Sequence, residues 1–462
     1  MIADFVVVSL VPFVSFVPLL PVVSLLSPPP RLAFIRKKSL SVIMSAQYFA
    51  LPPKITNFAE MCAHVRTYTR INIGLRRVRR NTTIGFDAKY ANVGNNTQSS
   101  YARFVIEAIA EACPRHSYLR MYVPSREEHA EYDALASRHN VESMEPDGSL
   151  WRKMPWLWRL WPIGRDMQRG DVRLYHSLTS FLPYGLERRG IRTIVTVHNL
   201  EFLRLRGFFS PLHNMYRRAV MLSSLTRADR IVALSESIKH DLVRYLRIDS
   251  DKIDVIYRGC HHRFAEPITP EALAAVRDRY HLPARYMVVV GTHLPRKNLG
   301  HLVETLRRVD EDIAIVVVGR ATTYTEHISR RIKSLGLGDR VTMLHGVADE
   351  DMPAIYHQAI AYLMPSLYEG FATSIVEAIT VGTPVIAAKG SSLEEAGGPS
   401  SIYVDATDRD ALAEAISRVA NDEELRQRMI RDGKAYASRF RPEVIAYNLL
   451  NCYRRIGIEL DE

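Results

Sequence analysis

Two glutamates, Glu369 and Glu377, stand either side of a turn in the stretch PSLYEGFATSIVEAITVG, residues 365–382. The apolar run AYLM before it, residues 361–364, reads as a short buried strand, and Pro365 and Ser366 turn the chain. A helix is expected next, capped by the small and hydroxyl residues Ala372, Thr373 and Ser374. Ile375, Val376, Ala378 and Ile379 supply its apolar face, and Gly382-Thr383-Pro384 stops it before a strand at residues 384–388. Such a unit aims backbone N–H groups and a positive dipole end at the crevice where an α/β sheet holds phosphate. Glu369 reaches whatever lies above the helix end, and Glu377 sits about one turn inside, near hydroxyls beyond the phosphate. An anion with hydroxyls on both sides describes a sugar nucleotide. Spacing alone leaves a second reading open, two solvated surface carboxylates.

Arg296 and Lys297 stand between an all-apolar strand, residues 286–291, and a helix starting near Leu299. They face the same crevice and suit a diphosphate, Arg as a planar fork and Lys as a point charge; ordinary surface charge is the alternative. His198-Asn199 closes the strand at residues 192–197, again at a C-terminal tip. The elements that must hold these groups alternate along the chain. Strands are expected at residues 83–87, 119–124, 174–177 and 192–197, in ADRIVAL just ahead of Ser235, and at 252–257, then at 286–291, 313–319, 341–344, 361–364 and 384–388. Helices fall between them: residues 101–112 after a polar loop VGNNTQSS, 215–227, a Ser-capped helix beginning at Ser235-Glu236-Ser237, 325–335, 408–418, 423–436 and 442–456. The alternation specifies α/β folding with two parallel sheets.

These segments, read as TTIGFDAKY, TVHN, ADRIVALSES, KIDVIYRGC, PRKN, YEGFATSIVEA, GTPVIA and SSLEE, resemble glycosyltransferase family four along most of the chain from Thr83. Those proteins are retaining sugar-nucleotide transferases of the GT-B fold. The resemblance implies two Rossmann-like domains facing across a cleft. Residues 81–266 form an acceptor domain, with a C-terminal helix at 441–462 returning to it, and residues 267–440 form a nucleotide-sugar domain. It implies Glu377 on ribose hydroxyls, and Arg296, Lys297 and the helix start at Thr373-Ser374 on the diphosphate. Glu369, the Gly370-Phe371 backbone and Ala372 line the sugar. His198 lies near the sugar hydroxymethyl and the leaving phosphate, where a ring N–H suits an anion, and the loop at Gly346-Val347 receives the base. Three departures stand out. Thr97-Gln98-Ser99-Ser100-Tyr101 replaces a glycine-rich turn, leaving Gly94 and nearby Asn, Thr and Ser groups as donors; Asn199 stands where aspartate is common; His261-His262 stands where one member of the pair is usually acidic.

The activity so implied moves a hexose, with mannose from GDP-mannose the first choice, onto a glycan or lipid-linked acceptor. No cofactor is expected and no divalent metal, since cations and a helix dipole stabilise the departing charge. The alternatives are a catalytically weakened relative that binds a nucleotide sugar or a partner, and a GT-B sugar-nucleotide epimerase.

A net charge of +11 suits anionic membranes, nucleic acid or diphosphates, and without any nucleic-acid-binding signature the nucleic-acid class drops out. Cys62, Cys113, Cys260 and Cys452 show no paired spacing, which fits a reducing cytoplasm, and Cys260 beside His261 and His262 lacks a third metal ligand. Residues 1–80 form a leader. Within it the uncharged run at residues 5–26 is long enough to cross a bilayer, although Pro12, Pro18 and Pro21 interrupt it; an anchor, a disordered leader and a start at Met44 all remain open. The basic residues 68–80 fit either anionic headgroups or a solvated linker. Trp151, Trp156, Trp158 and Trp161 fall in one basic stretch, fit for lipid contact or for a core. The expected location is cytoplasmic, peripheral to or anchored at the inner membrane.

Overall fold

The computed structural model describes residues 82–94, 96–113, 117–125, 129–310, 312–458 and 460, all inside one compact unit, Val78–Glu462. The readings made for residues 1–80, including Cys62, lie outside the described residues.

Thirteen strands form two sheets among the described residues. β1 (Thr82–Asp87), β2 (Ser117–Tyr122), β3 (Val141–Met144), β4 (Val172–Ser177), β5 (Arg192–Val197), β6 (Arg230–Ala233) and β7 (Ile253–Val255) make the first. β8 (Tyr286–Val290), β9 (Ala314–Val318), β10 (Val341–Leu344), β11 (Tyr362–Met364), β12 (Val385–Ala388) and β13 (Ile402–Val404) make the second. Their orders are β3-β2-β1-β4-β5-β6-β7 and β10-β9-β8-β11-β12-β13, parallel throughout. Central strands such as β8 (YMVVV) and β9 (AIVVV) are apolar at every position because helices cover both faces of a parallel sheet. Each order reverses once, between β1 and β4 and between β8 and β11. Loops leave those neighbouring strands in opposite directions, which opens a crevice at their C-terminal ends.

Five of the helices bear on that crevice: α1 (Thr97–Ala112), α2 (Glu236–Leu246), α3 (Met352–Gln358), α4 (Thr373–Val381) and α5 (Pro442–Arg454). α1 begins four residues before the sequence reading put it. Asn96 caps it by accepting from the N–H groups of Gln98 and Ser99, so Thr97 to Ser100 form the first helical turn and not a loop. α5 follows the second sheet in the chain yet packs on the first. Tyr453 reaches His176 on β4 (Oη to Nδ1, 2.8 Å), the Cys452 thiol donates to Asp254 (3.2 Å), and Arg455 pairs with the same aspartate. The tryptophans divide: Trp158 is fully buried with Nε1 donating to Asp166 at 2.7 Å, whereas Trp156 and Trp161 are 54% and 66% exposed. No helix among the described residues is long and apolar enough to cross a membrane.

His176 is buried between Tyr453 and Thr196 (Nε2 to Oγ1, 2.9 Å), and burial, helped by His198, pulls its pKa down to about 3. The unfolded chain has an ordinary imidazole near 6.5. Below that pH the unfolded state takes up a proton that the folded state refuses, so stability is complete above it and drains toward pH 3, at ~1.4 kcal/mol per pH unit. Thermal melts from pH 7.5 to pH 5 are expected to fall, with a shallower fall in His176→Gln. Equal slopes in the two proteins would contradict this assignment.

Candidate active site

The loops after β8 and β11, the two strands at the second switch point, carry three of the charged residues picked out by sequence. After β8 a single 3-10 turn, Pro295–Lys297, presents Arg296 and Lys297. After β11 the chain crosses to α4 past Glu369, and the Leu367 N–H donates to the Arg296 carbonyl at 2.9 Å, tying one loop to the other. Glu369 is buried, and both cations meet its Oε1: Arg296 Nη1 at 2.6 Å and Lys297 Nζ at 2.8 Å. Burial alone would raise this carboxyl, but Lys297 and Arg296 outweigh it and hold the group below the ordinary carboxylate range. Arg296 also lies 3.3 Å from the carboxylate of Glu201, which comes from the first sheet's side.

Beside this cluster α4 begins without a side-chain cap. Ala372 occupies the cap position and has no oxygen to offer, the Thr373 hydroxyl is buried without a hydrogen-bond partner, and Ser374 Oγ is turned to Tyr362 Oη at 2.7 Å. The sequence reading had these hydroxyls capping the helix; they do not, because Ser374 is engaged elsewhere. The first N–H groups and the positive end of the dipole are left to face the crevice, the arrangement that suits an anion. Gly382 ends α4 in the left-handed region (φ 104°). One turn inside α4, Glu377 accepts from the Tyr356 hydroxyl of α3 at 2.9 Å, and burial raises its carboxyl.

The first sheet supplies the opposite wall. His198 follows β5, with Nε2 2.7 Å from the Leu178 carbonyl. A carbonyl only accepts, so Nε2 carries the proton and Nδ1 is an acceptor, buried and without a hydrogen-bond partner. Burial, then Arg258, lowers the His198 pKa to about 4, which keeps the ring neutral at physiological pH. With its donor committed to Leu178, the ring suits a hydroxyl and not the anion the sequence reading gave it. The two walls touch. The Ser235 hydroxyl, the cap of α2, donates to the Gly370 carbonyl at 2.9 Å, and the Leu200 N–H donates to Tyr368 Oη at 3.3 Å. Glu395 accepts from the N–H groups of Glu236 and Ser237 at 2.7 and 2.9 Å, docking a carboxylate from one wall on a helix start of the other. Phe371 stacks on Tyr257 with ring centroids 5.5 Å apart.

Glu369, Arg296, Lys297, Gly370, Phe371, Ala372, Thr373, Ser374, Glu377 and His198 thus line one crevice. Gly346 (φ 67°) sits on an exposed turn after β10 with Val347 beside it, and Gly94 (φ 41°) is exposed in the turn before α1, its carbonyl 3.4 Å from Arg103 Nη1. Neither bonds to the Arg296-Glu369 group. Sequence reasoning passed over Glu201, Tyr356 and Arg258, whose roles arise only when distant segments meet. Among the described residues no three His, Cys, Asp or Glu side chains converge so as to hold a metal ion.

At Gly370 the walls press close together. A Cβ there would stand 2.0 Å from the His198 carbonyl and 2.8 Å from Asn199 Cβ. Gly370→Ala should therefore push the walls apart while leaving each sheet folded, and cost at least about tenfold in turnover because misplacement of about 1 Å is enough. Steady-state kinetics with an unchanged circular dichroism spectrum would bear this out; full activity in the variant would contradict it.

Two families match the chain. Glycosyltransferase Family 4 matches residues 102–264, and Glycosyl transferases group 1 matches residues 281–436. The chain is 25% identical over 61% of its length to the O-antigen chain mannosyltransferase B of Escherichia coli, spanning 74% of that protein. It is 26% identical over 54% of its length to the GDP-mannose-dependent alpha-(1-6)-phosphatidylinositol monomannoside mannosyltransferase of Mycolicibacterium smegmatis, spanning 74% of it. Anabaena HepE, solved in complex with UDP and glucose, has the same fold with a TM-score of 0.64 at 20% identity, over 81% of this chain and 100% of that one. Two facing Rossmann-like domains, the charged crevice between them and these matches together make the chain a member of the group 1, family 4 glycosyltransferases of GT-B fold, an enzyme of glycosyl transfer from nucleotide sugars.

Proposed function

We propose that the protein is a retaining hexosyltransferase that moves mannose from GDP-mannose to a hydroxyl of a glycan or lipid-linked acceptor. The observation that carries this reading is the placement of Arg296 and Lys297 beside the uncapped start of α4, across from a neutral His198. The two mannosyltransferase relatives support the choice of sugar, and the GDP-mannose-dependent one the choice of nucleotide.

In this reading the donor lies with its ribose hydroxyls at Glu377 and its diphosphate at the α4 start. Tyr356 holds the Glu377 carboxyl in position for the ribose. The bond from the sugar's anomeric carbon to the leaving phosphate oxygen breaks, and negative charge grows on that phosphate. Arg296, Lys297 and the first α4 N–H groups meet the charge as it develops, which is where fixed donors lower a barrier most. Glu369 Oε2, which takes part in neither ion pair, accepts a sugar hydroxyl, and the Gly370-Phe371 backbone lines the same hydroxyls. His198 Nδ1 accepts from the sugar's hydroxymethyl. The acceptor oxygen forms the new bond on the face the phosphate leaves, and its proton passes to the departing phosphate. No protein nucleophile takes part, and no divalent metal is needed for the leaving charge. Gly346 and Val347 receive the base, Gly94 lies toward the phosphate side of the first domain, and the lipid-linked class of acceptor brings an anionic membrane surface with it.

Incubation with GDP-mannose and a panel of glycan and lipid-linked acceptors, read by mass spectrometry, should give a mannosylated product with retained anomeric configuration. Glu369→Gln should lower kcat by about 10²- to 10³-fold, the loss typical of one transition-state contact. Turnover that survives this change, or nucleotide binding with no transfer from any donor, would overturn the proposal. Glu377→Gln should act mainly on the KM for donor, with a weaker effect on kcat.

A further inference from the structure

Arg258 follows β7 and was passed over by the sequence reading, yet it is 5% exposed. Its Nη2 donates to the Thr97 carbonyl in the first turn of α1 at 2.6 Å, and its guanidinium lies 5.3 Å from the centre of the Tyr101 ring. Tyr101 in turn meets the His198 ring edge-on at 4.8 Å, and Tyr257, the residue before Arg258, stacks on Phe371. Arg258 therefore stands in the wall opposite α4, behind the sugar-facing residues.

Arg258 forms no ion pair among the described residues. Arg296 and Lys297 are both held by Glu369, and Arg296 by Glu201 as well, so much of their charge is already balanced. Among the described residues the Thr97 carbonyl is the one hydrogen-bond acceptor for Arg258 and the Tyr101 ring face its one cation–π partner, which leaves most of its five N–H donors without a protein acceptor there. Burial pulls its pKa to about 10, which leaves it charged at neutral pH, and its field reaches both Glu377 and His198. The location compounds the imbalance. A cation beside the N-terminus of a sixteen-residue helix meets the positive end of the dipole, where an anion belongs. A buried guanidinium placed so is expensive unless something anionic joins it.

We propose that Arg258 is a third cation for the donor's diphosphate, acting from the first domain while Arg296 and Lys297 act from the second. The proposal rests on the nucleotide-sugar reading above. In it the diphosphate is gripped from both walls, so that donor binding itself draws the domains together around the Gly370 contact.

Isothermal titration calorimetry on the full chain tests this with GDP, UDP and the corresponding nucleosides, guanosine and uridine, and no acceptor present. Arg258→Met should bind the preferred diphosphate about 10- to 100-fold more weakly, the loss of a charge-assisted fork. Its nucleoside affinity should be unchanged, and its melting temperature without nucleotide should be equal or higher, since an unbalanced buried charge has gone. Arg258→Lys, which keeps charge and stem, should fall between, and it decides the matter should the methionine variant not fold. Unchanged diphosphate affinity in Arg258→Lys and in whatever Arg258→Met folds, or an equal loss for nucleoside and diphosphate, overturns the inference and leaves the proposed function standing. Absence of GDP and UDP binding by the unaltered chain overturns both.

Discussion

A carboxylate removed from water must be matched by positive charge, and Glu369 is matched twice at one oxygen. That requirement orders the site. Arg296 and Lys297 come from the turn after β8, Glu369 from the loop after β11, and the backbone bond from Leu367 to Arg296 locks the two loops in register. Because these strands flank the switch point of the second sheet, the cluster sits at the crevice that the switch point opens, beside the start of α4. The fold's topology and the pairing of buried charge select the same place.

Across the crevice the first domain offers the opposite chemistry. His198 has one ring nitrogen committed to a carbonyl and its pKa lowered to about 4, so it enters as a neutral acceptor. A protonated imidazole there would add to the cations and repel Arg258. Contact between the walls is mixed: Ser235, Tyr368 and Glu395 bond across it, Arg296 pairs with Glu201 and Phe371 stacks on Tyr257, around a glycine too tightly packed to bear a side chain. A donor buried between two domains requires such contacts to open and close.

How much of this was legible beforehand follows from what each element depends on. Strands such as β8 and β9 were plain, since burial on both faces writes an unbroken apolar run. β3 went unseen because an edge strand of four residues, VESM, alternates too briefly to register. The start of α1 was misplaced since its cap, Asn96, lay among other polar residues with equal claim to the role. Glu369, Arg296, Lys297 and His198 could be picked out because each follows a strand end, and Glu377 because it lies one turn inside the helix that comes next, positions that sequence marks. That Glu369 binds Arg296 and Lys297 directly was not legible, nor that the α4 hydroxyls leave the helix uncapped, because both depend on side-chain geometry. Arg258 and Thr97 are 161 positions apart and Glu201 and Arg296 nearly a hundred, and no local pattern announces such meetings.

The central claim is that a diphosphate takes its place between the Arg296-Lys297 pair and the start of α4. A crystal structure of the chain with GDP tests it most directly. The account predicts phosphate oxygens within hydrogen-bonding distance of Arg296, Lys297 and the N–H groups of Thr373 and Ser374, with the ribose hydroxyls on Glu377. A nucleotide seated elsewhere, or seated here with its phosphates turned away from both cations, would contradict it.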